Sequence, residues 1–266
     1  MTSSLEYSEK LKNATESAFE KYISDFDRED ERIKLKITHT YHVADNCLAL
    51  AKELKQDAHD TALSYLLGML HDIGRFEQTV KYNTFLDDKC DHAEEGADYL
   101  VQGGHLRDFL PEGTSPSEED VNIIEKAIRF HNKHVLPDYL NGREKLFCNI
   151  IRDADKVDIF RAVTAQPFRI GHEYDEKTVA KSHPEKEVRR AFKEHDTVDF
   201  KLRETPADIF LSHIALSFGL VYSSSKKLLY EQGFLHKMMD FKFDDYETER
   251  EYEQMCDEVN RFLLEK

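Results

Sequence analysis

Apolar residues along this chain recur mostly at intervals of three and four, the period of helices that bury one stripe. Glycine and proline, the residues that most disfavour helix interiors, number only 10 and 6. Helix is therefore expected throughout. Residues 4–25 read as a charged, partly amphipathic helix. Val43, Cys47, Leu50, Ala51 and Leu54 mark one face of the next helix, and His39 falls on that face one turn earlier. Leu63, Leu66, Leu67 and Leu70 mark another, which runs into His71, with Gly74 as its expected stop. Asp91 and Glu94 form a capping-box pattern before Ala97, Leu100 and Val101, and Gly103-Gly104 ends that helix. After a loop at 111–117, Ser117 and Asp120 repeat the start signal, and Val121, Ile124 and Ile128 lead at helical spacing to His131. Phe147, Ile151 and Asp155 lie four apart on one line of a further helix.

Residues 165–206 interrupt this pattern. The stretch is highly charged and reads as an insertion or cap over about 165–205, with short helices and a small β-ribbon around Thr197–Leu202. An apolar helix over 207–222 returns to the core, and a charged helical segment over about 243–264 closes the chain. The expected architecture is all-α: one domain over 1–266, with a compact helical core at about 25–164 and 206–240. A chain of 266 residues can bury roughly 70–75% of its unfolded surface.

The formal charge of −16 weighs against a nucleic-acid polymer as partner, because phosphates would be repelled. It does not exclude a small anionic substrate, since a local metal centre with a few Lys or Arg can reverse the field in a pocket. The four cysteines include no CxxC pair, and scattered single thiols fit a reducing cytoplasm. The segment MTSSLEYSEKLKN lacks a basic start and an apolar stretch. No apolar run reaches the ~18 residues of a membrane span. A soluble cytoplasmic protein without a membrane partner is expected.

The candidate chemistry starts at His71-Asp72 in LLGMLHDIGRFEQ. Adjacent imidazole and carboxylate offer one metal a neutral nitrogen and an anionic oxygen. A divalent transition metal in such a mixed donor set lowers the pKa of its bound water towards neutrality. With His39, His92, His131 and Asp155, the donors number four histidines and two aspartates. That set is too nitrogen-rich for magnesium or calcium; iron, manganese, zinc, cobalt or nickel fits.

The segments HTYHVA, HDIGRF and ADKVD resemble, in that order, the signature of the HD-domain metallohydrolase superfamily: H-x-x-x-V-A, then His-Asp, then a late Asp. The first segment selects His39 over His42, and the last selects Asp155 over Asp153 or Asp158. HAEEGA and IRFHNKH look like the segments of a six-ligand, dinuclear subset, and they add His92 and His131. The likeness spans about residues 30 to 240. It implies a compact helical bundle in which His39, His71, Asp72 and Asp155 hold one metal. Asp72 then bridges to a second metal held by His92 and His131, and a metal-activated hydroxide serves as nucleophile. Asp72, Arg75 and Lys156 are the expected catalytic residues. Arg75 and Lys156 flank ligands, where a cation stabilises a phosphate in the transition state or pairs with a metal-ligating carboxylate. Lys133, Arg161 and Arg169 are weaker candidates. His42 and His134 are expected outside the donor set, and Tyr41, Phe76 and Tyr82 are expected to pack and not to stack on a base. The implied activity is metal-dependent hydrolysis of a phosphate ester or anhydride, of a nucleotide or other small phosphorylated metabolite. Two alternatives stay open: a mixed-valence di-iron oxygenase with the same ligand types, and a non-catalytic nucleotide-sensing or scaffold protein.

Overall fold

The structure, a computed structural model, describes residues 5–85, 87 and 89–264. Every regular element among the described residues is helical, as the apolar spacing predicts. The chain divides into two compact units, Met1–Asp155 and Lys156–Lys266.

In the first unit, α1 (Glu9–Ile23) begins at Ser8, whose side chain accepts from the Leu11 N–H. It is tied to the 3-10 turn His105–Phe109 by Thr15, which donates to the Phe109 carbonyl at 2.8 Å. Asp30 caps α2 (Glu31–Glu53), and Asp57 caps α3 (Ala58–Leu70). Every residue of α3 from Thr61 to Leu70 is buried, so this helix is surrounded on all sides. Gly68 makes that possible, because a Cβ there would lie 2.8 Å from the Ala44 nitrogen and 3.0 Å from the Val43 carbonyl oxygen. The missing side chain lets α3 approach the backbone of α2.

The helix break differs from the expected one. α3 ends at Leu70, before Gly74, and Gly74 sits in the first turn of α4 (Ile73–Tyr82). Its role is a close approach: a Cβ at Gly74 would collide with the His92 carbonyl oxygen and lie 2.7 Å from the Gly96 nitrogen. Both residues belong to α5 (His92–Leu100). Asp91 caps α5 by accepting from the Ala93 and Glu94 N–H groups. The box is not reciprocal, because Glu94 turns to Arg129. At α6 (Glu118–Phe130) Ser117 and Asp120 form the full capping box. The division between the units falls within α7 (Gly142–Ala165).

The second unit comprises α8 (Phe168–His172), α9 (Glu176–Ala180), α10 (Lys186–Glu194), α11 (Pro206–Ala215), α12 (Ser223–Gln232), α13 (Phe234–Met239) and α14 (Tyr246–Leu264). The charged stretch expected as an insertion contributes Val179, Val188, Phe192 and Val198 to one apolar cluster with Phe210, Ile214, Leu229 and Val259. Its charge lies on the outer faces of amphipathic helices; α10 buries Val188, Ala191 and Phe192. The expected β-ribbon is replaced by a 3-10 turn, Phe200–Leu202, which Asp199 caps by accepting from the Lys201 N–H. The helix expected over 207–222 stops at Ala215 and continues as a 3-10 turn to Gly219. Gly219 is packed tightly, with Thr197 Cγ2 2.8 Å and Lys156 Cε 2.9 Å from where its Cβ would be. Among the described residues no helix is long and apolar enough to cross a membrane.

Candidate metal centre

Five segments of the first unit converge on one buried aspartate. His39 comes from the middle of α2, His71 from the C-cap of α3, and Asp72 from the junction with α4. His92 opens α5, His131 closes α6, and Asp155 comes from α7. Asp72 splits its two oxygens. Oδ2 lies 3.6 Å from His71 Nε2 and 3.8 Å from His39 Nε2. Oδ1 lies 3.1 Å from His92 Nε2 and 3.7 Å from His131 Nε2. Asp155 Oδ1 joins the first pair, 3.0 Å from His39 Nε2 and 3.8 Å from His71 Nε2. Two three-donor groups therefore share Asp72: His39 with His71, and His92 with His131.

The hydrogen bonds fix which ring nitrogen faces inwards. His71 Nδ1 meets the Gly68 carbonyl at 2.8 Å, and His131 Nδ1 meets the Ile128 carbonyl at 2.7 Å. A carbonyl only accepts, so each Nδ1 carries the hydrogen and each Nε2 offers a lone pair. His92 Nδ1 is 2.7 Å from Asp87 Oδ1, with the same outcome. Burial disfavours the Asp87 charge, but the hydrogen bond from His92 and the Arg75 guanidinium outweigh it and hold its pKa below the usual range. The lone pairs of His92 and His131 then face each other with Nε2 atoms 3.1 Å apart, and His71 Nε2 lies 3.4 Å from His39 Nε2. Facing lone pairs repel unless a cation lies between them. Burial lowers the His71 pKa to about 4, and burial followed by the Arg75 charge lowers that of His92. Both rings are thus neutral donors near pH 7, the form a metal requires. This donor set fits two divalent transition-metal ions.

Two cations flank Asp72. Lys36 donates to Oδ2 at 2.7 Å, and its ammonium lies 5.2 Å from the Phe85 ring centroid. Arg75 Nη2 donates to His92 Nε2 at 3.0 Å, while Nη1 reaches Gln78, the Phe85 carbonyl and Asp87. Arg75 Nε is buried with no hydrogen-bond partner and lies 3.7 Å from Asp72 Oδ1. Burial opposes ionisation of Asp72, but Lys36 and His71 hold its pKa well below the carboxylate range.

The other sequence candidates separate clearly. His42 and His134 are exposed. Lys156 is buried one residue beyond Asp155, with its stem against Gly219 in the second unit. Lys133 pairs with Asp91, and Arg161 pairs with Asp158 at 2.6 Å. Arg169 is exposed. Phe76 is buried edge-on against Phe19 and Tyr22, and Tyr41 donates to Glu20, so both serve packing. Tyr82 lies with Lys81 and Lys89 over its ring. Arg152 donates to the carbonyls of Phe130, His131 and Lys133, which ties down the end of α6 where His131 sits. Lys36 and Asp87 escaped the sequence reading. Lys36 lies three residues before His39 on α2, a spacing that shares its face. Asp87 lies between α4 and α5, where no periodic pattern marks it.

Residues 37–159 match the HD domain family, a span that contains all six candidate donors. No match was found among curated proteins or among solved structures.

Proposed function

Because residues 37–159 form an HD domain, of the metal-dependent phosphohydrolase superfamily, we propose that this chain hydrolyses a phosphate ester or anhydride of a nucleotide or other small phosphorylated metabolite. One observation carries the reading: a single buried carboxylate, Asp72, directs each of its oxygens to a different histidine pair. Two bound divalent transition-metal ions would acidify a water and polarise a phosphoryl oxygen at such a site. His39, His71, Asp72 and Asp155 would hold one ion, and Asp72, His92 and His131 the other. The remaining work falls to the surrounding side chains. The Gly68 and Ile128 carbonyls and Asp87 hold three imidazoles in the tautomer that presents Nε2. Arg75 is fixed by Gln78, Phe85 and Asp87, and its unpartnered Nε–H is a ready donor to a phosphoryl oxygen. Lys36 adds a second positive charge on the other side of Asp72. Lys156 is the third catalytic residue of this reading, as a cation next in sequence to Asp155. The charge of −16 favours a small substrate over a nucleic-acid polymer.

The test is a stripped protein reloaded separately with manganese, iron, cobalt, nickel or zinc. It is screened for phosphate release from phosphorylated metabolites while oxygen uptake is followed. The reading expects phosphate release that Asp72→Ala abolishes. Oxygen consumption with iron and no phosphate release would replace it with an oxygenase. Two bound ions with neither activity would favour a sensing or scaffold role.

A further inference from the structure

His92 opens α5 and His131 closes α6, yet their Nε2 atoms lie 3.1 Å apart. Helix ends lack the full set of backbone hydrogen bonds that holds a helix interior. Two donors placed at such ends need another means of keeping their spacing.

The residue after His131 supplies one. Asn132 is half-buried, and its Nδ2 donates to Asp87 Oδ2 at 3.1 Å and to Asp91 Oδ1 at 2.9 Å. Ionised carboxylates only accept, so the nitrogen of the amide must face them. Among the described residues the amide oxygen is buried without a hydrogen-bond partner. The side chain is thus oriented by its donors alone, at the cost of an unsatisfied acceptor.

Each carboxylate governs a different feature of His92. Asp87 Oδ1 meets His92 Nδ1 at 2.7 Å and sets the ring. Asp91 Oδ1 accepts from the Ala93 and Glu94 N–H groups at 3.1 and 3.4 Å and caps the helix that His92 opens. One primary amide therefore holds both the ring partner and the helix cap of His92. The backbone on either side of Asn132 is fixed as well. Arg152 donates to the Phe130 and His131 carbonyls at 3.0 and 3.2 Å and to the Lys133 carbonyl. Ion pairs also join α5 to α6 and the turn after it: Arg129 reaches Glu94 and Asp98, and Lys133 reaches Asp91. These are partly exposed and hang on flexible stems, which fix a spacing poorly.

Given the two-ion reading above, we infer that Asn132 is a positioning residue for the ion at His92 and His131. Through Asp87 and Asp91 it locks His92 at the spacing from His131 that this ion requires. The two N–H bonds of its amide lie in one plane on a short side chain, so both carboxylates are held at a set distance from the backbone beside His131. Lysine there would supply charge without a fixed fork.

The experiment titrates the full chain, freed of metal, with manganese(II) by stepwise calorimetry, alongside urea unfolding of the metal-free protein. Wild type is expected to bind two ions in separable steps. Asn132→Ala, and Asn132→Leu, which keeps the volume, should weaken one step about tenfold, as expected for a group that orients a metal-binding histidine. The other step should stay within about twofold, the scatter of independent sites. The weakened step should be the one that His92→Ala abolishes. In an Asp87→Asn background Asn132→Ala should weaken that step clearly less than it does alone, because both residues act through one contact. A residue that merely stabilises the fold would weaken both steps together and add its full effect in either background. Equal weakening of both steps, no weakening of either, an undiminished effect in the Asp87→Asn background, or loss of folding in both variants would each overturn the assignment. A wild-type protein that binds one ion would instead remove the two-ion reading on which it depends.

Discussion

Replacing Gly74 by alanine tests whether the α4–α5 contact positions His92. A methyl group at Gly74 meets backbone on the opposite side: the His92 carbonyl oxygen, and the Gly96 nitrogen at 2.7 Å. No side chain can rotate to relieve this. The two helices must separate by roughly 1 Å to restore van der Waals spacing. Overpacking of this kind costs about 1–3 kcal/mol, and backbone on both sides puts Gly74→Ala near the upper end. Alanine recovers about 1 kcal/mol through helix propensity, leaving a net loss of about 2 kcal/mol. For a chain of this size that lowers the melting temperature by about 4–8 °C. His92 moves with α5, so its Nε2 should leave Asp72 Oδ1, now 3.1 Å away. Urea unfolding measures the first effect, and calorimetric titration with a divalent transition metal measures the second. A Gly74→Ala protein as stable as wild type, with undiminished metal affinity, would show that the glycine does not set this spacing.

Metal content should distinguish the donors. Intact protein should hold about two equivalents, whereas His92→Ala or His131→Ala should retain about one, read by elemental analysis; saturation of wild type at one equivalent would remove the second site. His39→Ala should lose metal and His42→Ala should not, since His42 is exposed; the opposite result would mean a wrong register on α2. His59 and Asp120, 2.8 Å apart, give a pH-dependent contribution to stability. Burial opposes the His59 cation, but the hydrogen bond and charge of Asp120 raise its pKa, while burial of Asp120 is outweighed by His59 and Ser117, which lower its own. The His59 share is complete below its unfolded pKa of ~6.5 and fades as pH rises through the raised value; the Asp120 share is complete above ~3.9 and fades as pH falls through the lowered value. His59→Ala should therefore cost about 1 kcal/mol near pH 5.5 and clearly less near pH 9, by urea unfolding; an equal cost at both would refute the pairing.

The segments whose histidines and aspartates the structure brings together were legible because each is a local pattern. His39 continues the Val43–Cys47–Leu50 stripe one turn back, and His131 continues that of Ile124 and Ile128. Such spacing places a side chain on the buried face without any knowledge of tertiary structure. Lys36 lay within reach of the same reasoning, three residues before His39. Asp87 did not, because its partners Arg75, Gln78, His92 and Asn132 meet it only after α4, α5 and α6 assemble. Gly74 was misread for a related reason. A glycine after an apolar run signals a helix end by local rules, and nothing local shows that another backbone passes over it. The division of the chain was hidden because it falls inside α7, whose apolar spacing continues without a break. In residues 165–206 the abundance of charge masked a few well-spaced apolar positions, Val188 and Phe192 among them, that are enough to join a core.

The two halves of the candidate metal centre are held by different means, and this follows from where the chain places each Nδ1 partner. His71 leans on the Gly68 carbonyl of its own helix and His131 on the Ile128 carbonyl of its own helix, so each orientation is built into the helix that carries it. His92 stands at the first position of α5, where no preceding helical carbonyl is available, and it relies on the Asp87 side chain. Asp87 is anchored in turn by Arg75, Gln78 and Asn132. Backbone carbonyls cannot be changed by substitution, but this carboxylate can. Asp87→Asn keeps the shape and removes the charge, so it should weaken the ion at His92 and His131 about 10–100-fold, or ~1.4–2.7 kcal/mol, and leave the ion at His39 and His71 nearly unaffected. Stepwise calorimetric titration separates the two events, and equal weakening of both would mean that Asp87 supports the whole centre and not His92 in particular.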